Sequence, residues 1–295
     1  MSGIRGRRPL LMKAYRSTIQ LSVNKNIQAK IPVRPTNPFS EFNKEDLERS
    51  VPERFETIAS QYPDDPAVTS KNYRLTYDEL NRAANRVARA ILNSRCEEEK
   101  PVALLLKHDT PMIVAMLGVL KAGKIYVPLD PSFPAPRIKA MLEDAEAGLI
   151  VTNDEAISVA NESAQGKING LNIEHLDSNI PDTNLGLSLL PDAPACILYT
   201  SGTTGRPKGV AHSHRTMLHA VMLATNDFHL SAQDRVALLL SCSVSVSIRF
   251  IFGALLNGAS LWLFDFILGT HPITTKGTSG LGRSEATKRF GLMFT

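Results

Sequence analysis

At 295 residues, with 43% hydrophobic and 21% charged residues, the chain is long enough for a large core and ordinary for a water-soluble globular protein. No apolar stretch reaches the length of a bilayer span, and three cysteines (Cys96, Cys196, Cys242) give neither metal-binding spacing nor the even set of a disulfide framework. The formal charge of +4 belongs to the first 40 residues, which hold eight Lys/Arg and no acid; the remainder has 25 basic against 29 acidic residues, which excludes a broad nucleic-acid-binding face.

Residues 1–36 read as a basic leader, expected to be disordered to about residue 33. Its Arg-rich, acid-free start fits an organelle-targeting segment or an upstream extension from a misplaced start codon. Reduced cysteines and the rest of the composition fit the cytoplasm. From Val51 the pattern alternates. A helix over 51–61 leads to a strand near 67–69, then to a helix over 77–94 that Thr76-x-x-Glu79 opens as a capping box. Leu80, Ala84, Val87 and Ile91 keep helical spacing on that segment. A strand at 102–106 follows, then a helix at 111–122 with Thr110 as N-cap, Pro111 in its first turn and Gly123 at its end. The strand at 125–129 contains Pro128, which demands an edge or a bulge. A helix over 137–147 presents Ile138, Met141, Leu142 and Ala145 on one side, and a strand at 149–152 comes next. The stretch 153–194 is polar and loop-rich, with one weak strand at 171–173. After it come a strand at 195–199, a helix at 215–228, a strand at 235–240, an apolar segment at 247–257 and a strand at 259–264. This βαβ alternation predicts an α/β fold, a mainly parallel sheet with helices on both faces.

The chemistry concentrates in Thr200-Ser201-Gly202-Thr203-Thr204-Gly205-Arg206-Pro207-Lys208-Gly209. Three glycines let a backbone approach a ligand, and successive free N–H groups form an anion-binding concavity. Four hydroxyls add donors, and Lys208 adds a compact positive charge. The natural ligand is a polyphosphate. The spacing is not the Walker pattern, and Pro207 forbids a helix interior through the loop. With Val210 and Ala211 extended, the segment reads as strand–loop–strand.

This run resembles the phosphate loop of the adenylate-forming (AMP-dependent synthetase/ligase) superfamily, which includes acyl-CoA synthetases, luciferases and the adenylation domains of nonribosomal peptide synthetases. Leu75-Thr76-Tyr77-Asp78-Glu79-Leu80 resembles that family's first core block. Leu120-Lys121-Ala122-Gly123-Lys124-Ile125-Tyr126-Val127-Pro128-Leu129-Asp130-Pro131 resembles its second, in the wording of the peptide-synthetase branch. Read from the residues alone, both blocks are scaffold. The resemblance implies stacked αβαβα layers, the large N-terminal domain of the family, over 37–265. It implies that Ser201, Gly202, Thr203, Thr204, Gly205 and Lys208 hold the β- and γ-phosphates of ATP, with Thr200 at the start of the loop and Mg²⁺ neutralising the remaining charge. The partners implied are a carboxylate substrate and a thiol acceptor, either a phosphopantetheine carrier protein or coenzyme A. No residue here is a catalytic acid, base or nucleophile.

A fourth block is similar at Ile251-Phe252-Gly253-Ala254-Leu255, but where the family carries Phe-Asp, Val244 and Ser245 stand. That aspartate anchors the substrate ammonium in relatives that activate α-amino acids. Ser245 has no charge to offer, so the expected substrate lacks a free α-amino group or is bound there by another residue. His212, His214 and His219 are assigned no metal; His214 alone is expected to line the substrate side. Residues 266–295 keep no helical or strand period and match no family block, an irregular tail. The family's later elements (an adenine-binding strand, a ribose-binding aspartate, a terminal catalytic lysine) do not follow. The expectation is therefore an adenylate-forming ligase fragment, inactive by itself, or a remnant that at most binds nucleotide phosphates.

Overall fold

The computed structural model describes residues 35, 37–94, 96, 99–200 and 207–264. The expectations for the leader, Pro35 and residue 37 onward aside, and for the tail 266–295 lie outside the described residues.

A short 3-10 turn (Lys44–Glu48) precedes helix α1 (Val51–Gln61), where Glu53 N–H donates to the N-cap Ser50 hydroxyl at 3.3 Å. Strands β1 (Pro66–Thr69) and β2 (Arg74–Thr76) pair antiparallel. Helix α2 (Tyr77–Asn93) opens with the expected capping box: Glu79 N–H donates to Thr76 Oγ1 at 3.3 Å, and Thr76 N–H to Glu79 Oε2 at 2.8 Å. Its stripe Leu80, Ala84, Val87 and Ile91 is buried. Then come β3 (Val102–Leu105), α3 (Thr110–Lys121), β4 (Tyr126–Leu129), α4 (Ala135–Asp144), β5 (Leu149–Thr152), α5 (Ile157–Ala164) and β6 (Asn169–Asn172). The hairpin β7 (Pro194–Thr200) and β8 (Lys208–Ser213) leads into α6 (His214–Phe228). Strand β9 (Arg235–Leu238), helix α7 (Ser247–Leu255) and β10 (Ser260–Leu263) complete the described chain.

Two sheets result. One has the order β2-β1-β10-β9, the other β6-β5-β3-β4-β7-β8; within each, all neighbouring pairs are parallel except β1–β2 and β7–β8. Strands β3, β4 and β5 are buried along their whole length, which is why they read as unbroken apolar runs. Alternation sends Ala103, Leu105, Val127, Leu129 and Ile150 to one face of the larger sheet, where Ile138, Met141 and Leu142 of α4 and Ala160 and Ala164 of α5 cover them. Helix α3 packs on β3, β4 and α2, and α2 on β1 and β2, so this helix pair lies between the sheets. Helix α7 packs against β9 and β10. Tyr77, fully buried, ties these layers together by donating to the Ala259 carbonyl at 2.7 Å.

Helix ends show why the local sequence folds this way. Gly123, at φ 68°, closes α3 in a Schellman motif: Lys124 N–H donates to Val119 O and Gly123 N–H to Leu120 O, both at 3.0 Å. The N-cap of α3 is Asp109 rather than Thr110, because the Asp109 carboxylate accepts Thr110 N–H at 2.7 Å. Pro128 is on neither an edge strand nor a bulge. Strand β4 lies between β3 and β7, but its registered pairing with β7 is confined to Tyr126↔Cys196, so Pro128 falls where that ladder has ended.

Helix α4 ends at Asp144, earlier than its apolar period suggests. Glu146 takes the left-handed conformation (φ 50°) that glycine usually supplies and closes the helix with Ala147 N–H to Leu142 O at 3.1 Å. Two elements escaped the sequence reading. Helix α5 sits in the stretch read as loop; its signal is Ala156, Ala160 and Ala164, a buried stripe four residues apart made only of small side chains. Strand β2 is three residues long and ends at Thr76, the cap of α2.

Candidate functional site

The expected strand–loop–strand is present. Strands β7 and β8 run antiparallel with Ile197↔Ala211, Leu198↔Val210, Tyr199↔Gly209 and Thr200↔Lys208 in register. Ser201, Gly202, Thr203, Thr204 and Gly205 lie outside the described residues. Thr200 and Lys208 are described, and the pairing brings these two distant sequence positions face to face at the hairpin tip. Both are exposed, and Thr200 Oγ1 is 3.4 Å from the Lys208 carbonyl, a contact weak enough to yield to a better acceptor. An exposed ammonium and an exposed hydroxyl set opposite each other are chemically able to hold phosphate oxygens.

In the sequence Tyr199 reads only as the end of a strand. Its hydroxyl donates to Asp144 Oδ2 at 2.7 Å, with the Met141 carbonyl at 3.1 Å, at the last turn of α4. Burial, and then the hydrogen bond to the Asp144 carboxylate, push the Tyr199 hydroxyl well above the usual phenol range, so it stays a donor. Gly209 makes this possible: a Cβ there would stand 3.0 Å from Ile197 Cγ2 and 3.3 Å from the Tyr199 ring.

The carboxyl ends of both parallel sheets converge on a cleft of 990 Å³, lined by Tyr73 after β1, His108 after β3, Asp130 after β4, Asp154 after β5, Glu174 after β6 and Phe264 after β10. Strand order reverses at β3, since β4 lies on one side of it and β5 on the other, and ligand crevices in open α/β sheets form at such points. The second sequence block is therefore scaffold up to Leu129 and cleft wall from Asp130 onward. His108 joins the two sheets here: Nε2–H donates to the Leu238 carbonyl and Nδ1 accepts from the Cys242 thiol, both at 3.4 Å. Burial lowers the His108 pKa and pushes the Cys242 thiol up to about 12, so the contact is between neutral groups. The cleft carboxylates are engaged within and between the loops that line it. Glu155 pairs with Lys107, Asp130 accepts Ser132 N–H at 2.9 Å, and Glu174 accepts Asp154 N–H at 2.9 Å. Asp154 is held below the usual carboxylate range by hydrogen bonds from Asn172 and His175, each at 2.7 Å.

Ser245 lies in the exposed turn before α7, flanked by exposed Val244 and Val246. Its neighbour in the block, Ser247, is buried and donates to the Val244 carbonyl at 2.7 Å, which holds the turn. His214 is the first residue of α6 and only 2% exposed. Its Nδ1 accepts the Val51 N–H at 3.4 Å, joining the start of α6 to the start of α1. His212 stands on β8 opposite Cys196, and His219 on α6. No group of three or more His, Cys, Asp or Glu able to hold a metal occurs among the described residues.

Burial depresses the His214 pKa from its ordinary value of 6.5 to about 4. The unfolded chain therefore takes up a proton that the folded chain refuses. The stability associated with neutral His214 is full above pH 6.5 and is lost as pH falls toward 4, by at most about 1.4 kcal/mol per pH unit for one group. Urea unfolding midpoints should drop over that window, and His214→Gln should flatten the slope. A variant with the wild-type slope would show that His214 does not titrate this way. The half-buried His108 and His212, shifted in the same direction, add to the slope.

Residues 55–272 match the family described as AMP-binding enzyme. Tyrocidine synthase 1 of Brevibacillus parabrevis is 35% identical over 218 residues, covering 74% of this chain and 20% of that protein. The chain thus spans about a fifth of that relative's length. The AMPPNP-bound form of the nonribosomal peptide synthetase FmoA3 superposes with a TM-score of 0.66 at 27% identity, over 77% of this chain and 24% of that one. The Klebsiella oxytoca NpsA N-terminal subdomain, in complex with 3-hydroxyanthranilyl-AMSN, superposes with a TM-score of 0.64 at 26% identity, over 82% and 56%. With the β7–β8 hairpin, the two core blocks and the parallel sheets in place, the chain belongs to the AMP-binding enzyme family of adenylate-forming proteins, and its likeness is to the N-terminal part of nonribosomal peptide synthetase adenylation domains.

Proposed function

We propose that this chain supplies the polyphosphate-holding part of an ATP-dependent ligase that activates a carboxylate in the cytoplasm. The observation that carries the reading is the β7–β8 hairpin, which sets Thr200 opposite Lys208 at the two ends of a Gly/Ser/Thr-rich stretch of sequence. Lys208 and Thr200, with Ser201, Gly202, Thr203, Thr204 and Gly205, would hold the β- and γ-phosphates. The donor set fits, being one exposed ammonium and one exposed hydroxyl with no carboxylate in the turn sequence to repel the anion. Mg²⁺ arrives bound to the nucleotide, because hard cations of this kind are held chiefly by substrate phosphates and water. ATP supplies an α-phosphorus for carboxylate attack, giving acyl-adenylate and pyrophosphate, and the acyl group then passes to a thiol on a carrier protein or coenzyme A with release of AMP. The hairpin residues bind, orient and neutralise, which is how such transfers are accelerated.

Ser245 supports a carboxylate substrate without a free α-ammonium, since a hydroxyl dipole cannot replace a charge-assisted bond to a cation. By itself, this polypeptide is proposed to hold phosphates without completing adenylation, a reading supported by its covering only 56% of the NpsA N-terminal subdomain.

Phosphorus-31 NMR of MgATP titrated with the purified chain tests the reading. The β and γ resonances should shift and broaden, inorganic tripolyphosphate should reverse the change, and AMP should not. Unperturbed resonances, or reversal by AMP, would sink the proposal. Carboxylate-dependent ATP–pyrophosphate exchange by the same preparation should stay at background; robust exchange would show that the chain is sufficient for catalysis.

A further inference from the structure

We propose that Tyr199 and Asp144 form a positioning tether that sets where the phosphate hairpin lies, an inference that rests on the functional reading above. Sheet pairing alone does not fix the tip. Strand β7 is registered to β4 only at Tyr126↔Cys196, and β8 is the edge of its sheet. From Ile197 to Thr200 the two arms are therefore paired to each other but not to the sheet. Tyr199 is the last residue before Thr200; beyond the packing of Ile197 and Tyr199 on the core cluster, its hydroxyl ties this end to α4 through Asp144 at 2.7 Å and the Met141 carbonyl at 3.1 Å.

The anchor point is rigid. Met141 and Leu142 are buried in the core cluster, and the left-handed turn at Glu146 ends the helix immediately beyond Asp144. Gly209, across the ladder from Tyr199, leaves the space the ring occupies. Ring packing and hydroxyl anchoring are separable here. Phenylalanine would fill the same volume beside Ile197, so only the hydroxyl accounts for the link to Asp144. Tyr199 touches no ligand in this scheme; it acts through Thr200 and Lys208.

The test uses the full chain with Tyr199→Phe, Asp144→Ala and the double variant. Two readouts are taken: amide hydrogen exchange at 208–210, and MgATP affinity from phosphorus-31 NMR. Each single variant should exchange faster and bind MgATP about three- to tenfold more weakly, the range for a charge-assisted bond discounted for the exposed Asp144. The double variant should be no worse than Tyr199→Phe alone, because that change already removes both contacts of the hydroxyl. Asn257→Ala serves as a control for general destabilisation. It removes hydrogen bonds to Thr225 and Gly253 far along the chain from the hairpin and should leave MgATP affinity unchanged. If wild type and the tether variants bind MgATP equally, the inference is overturned while the functional reading stands. A double variant markedly weaker than Tyr199→Phe would also overturn it, since Asp144 would then act apart from Tyr199. A wild-type chain that takes up no MgATP overturns the functional reading and the inference with it.

Discussion

Lys208→Ala weakens MgATP binding by about 10- to 100-fold, the loss expected when one charge-assisted contact to phosphate is removed, and leaves the thermal midpoint almost unchanged. Lys208 is exposed at the first position of β8, so removing its side chain takes little from the core. Lys124 makes the informative comparison. It is 6% exposed and occupies the closing turn of α3, where its backbone N–H completes the Schellman motif. Lys124→Ala should lower the midpoint and leave nucleotide affinity alone. Affinity measured by phosphorus-31 NMR and midpoints measured by calorimetry separate the two. Equal losses of affinity would remove Lys208 from the phosphate site.

Gly118→Val is expected to destabilise the fold by about 3 kcal/mol, at the upper end of overpacking costs. On propensity alone, replacing a glycine within a helix should help, because glycine is the worst helix former after proline. The packing reverses that sign. A Cβ on Gly118 would lie 2.6 Å from Val87 Cγ1, 2.7 Å from Val87 Cβ and 3.2 Å from the Ala84 carbonyl. Helices α2 and α3 meet at this point between the two sheets, so neither can retreat without disturbing a sheet. Gly118→Ala should show the same sign at about 1–2 kcal/mol, the clash offset in part by better propensity. A raised urea midpoint in either variant would mean that the helix pair has slack.

The second core block owes its form to this packing as much as to the cleft. Gly118 allows α2 and α3 to approach, and Gly123 turns the chain into β4. Lys121, its side chain only 1% exposed, reaches Glu56 on α1. Only after Leu129 does the block face the cleft.

The legible parts of this fold share a physical property: their signals are local. The Thr76–Glu79 capping box, the stripe on α2, the glycine closing α3 and the apolar runs of β3, β4 and β5 each depend on residues within one or two turns. The hairpin was legible for the same reason, since Pro207 and the glycines exclude a helix whatever surrounds them. What escaped depends on tertiary partners. Helix α5 is stabilised by alanines whose small area matters only because α4 and the sheet cover them. The end of α4 turns on Glu146, which adopts a conformation that no residue-type rule assigns to glutamate. Tyr199 and Asp144 are 55 positions apart, and nothing in their spacing announces a bond. His214, expected to line the substrate side, is placed as a buried link between α6 and α1, a role visible only once Val51 is seen beside it. Pro128 was read from strand chemistry alone, which does not reveal where a neighbouring ladder stops.

The most direct measurement is a crystal structure of the chain soaked with Mg·AMPPNP. Triphosphate oxygens are expected within hydrogen-bonding reach of Lys208 Nζ and Thr200 Oγ1, where β7 and β8 pair last. A triphosphate seated instead among Asp130, Asp154 and Glu174, with Lys208 turned to solvent, would contradict it.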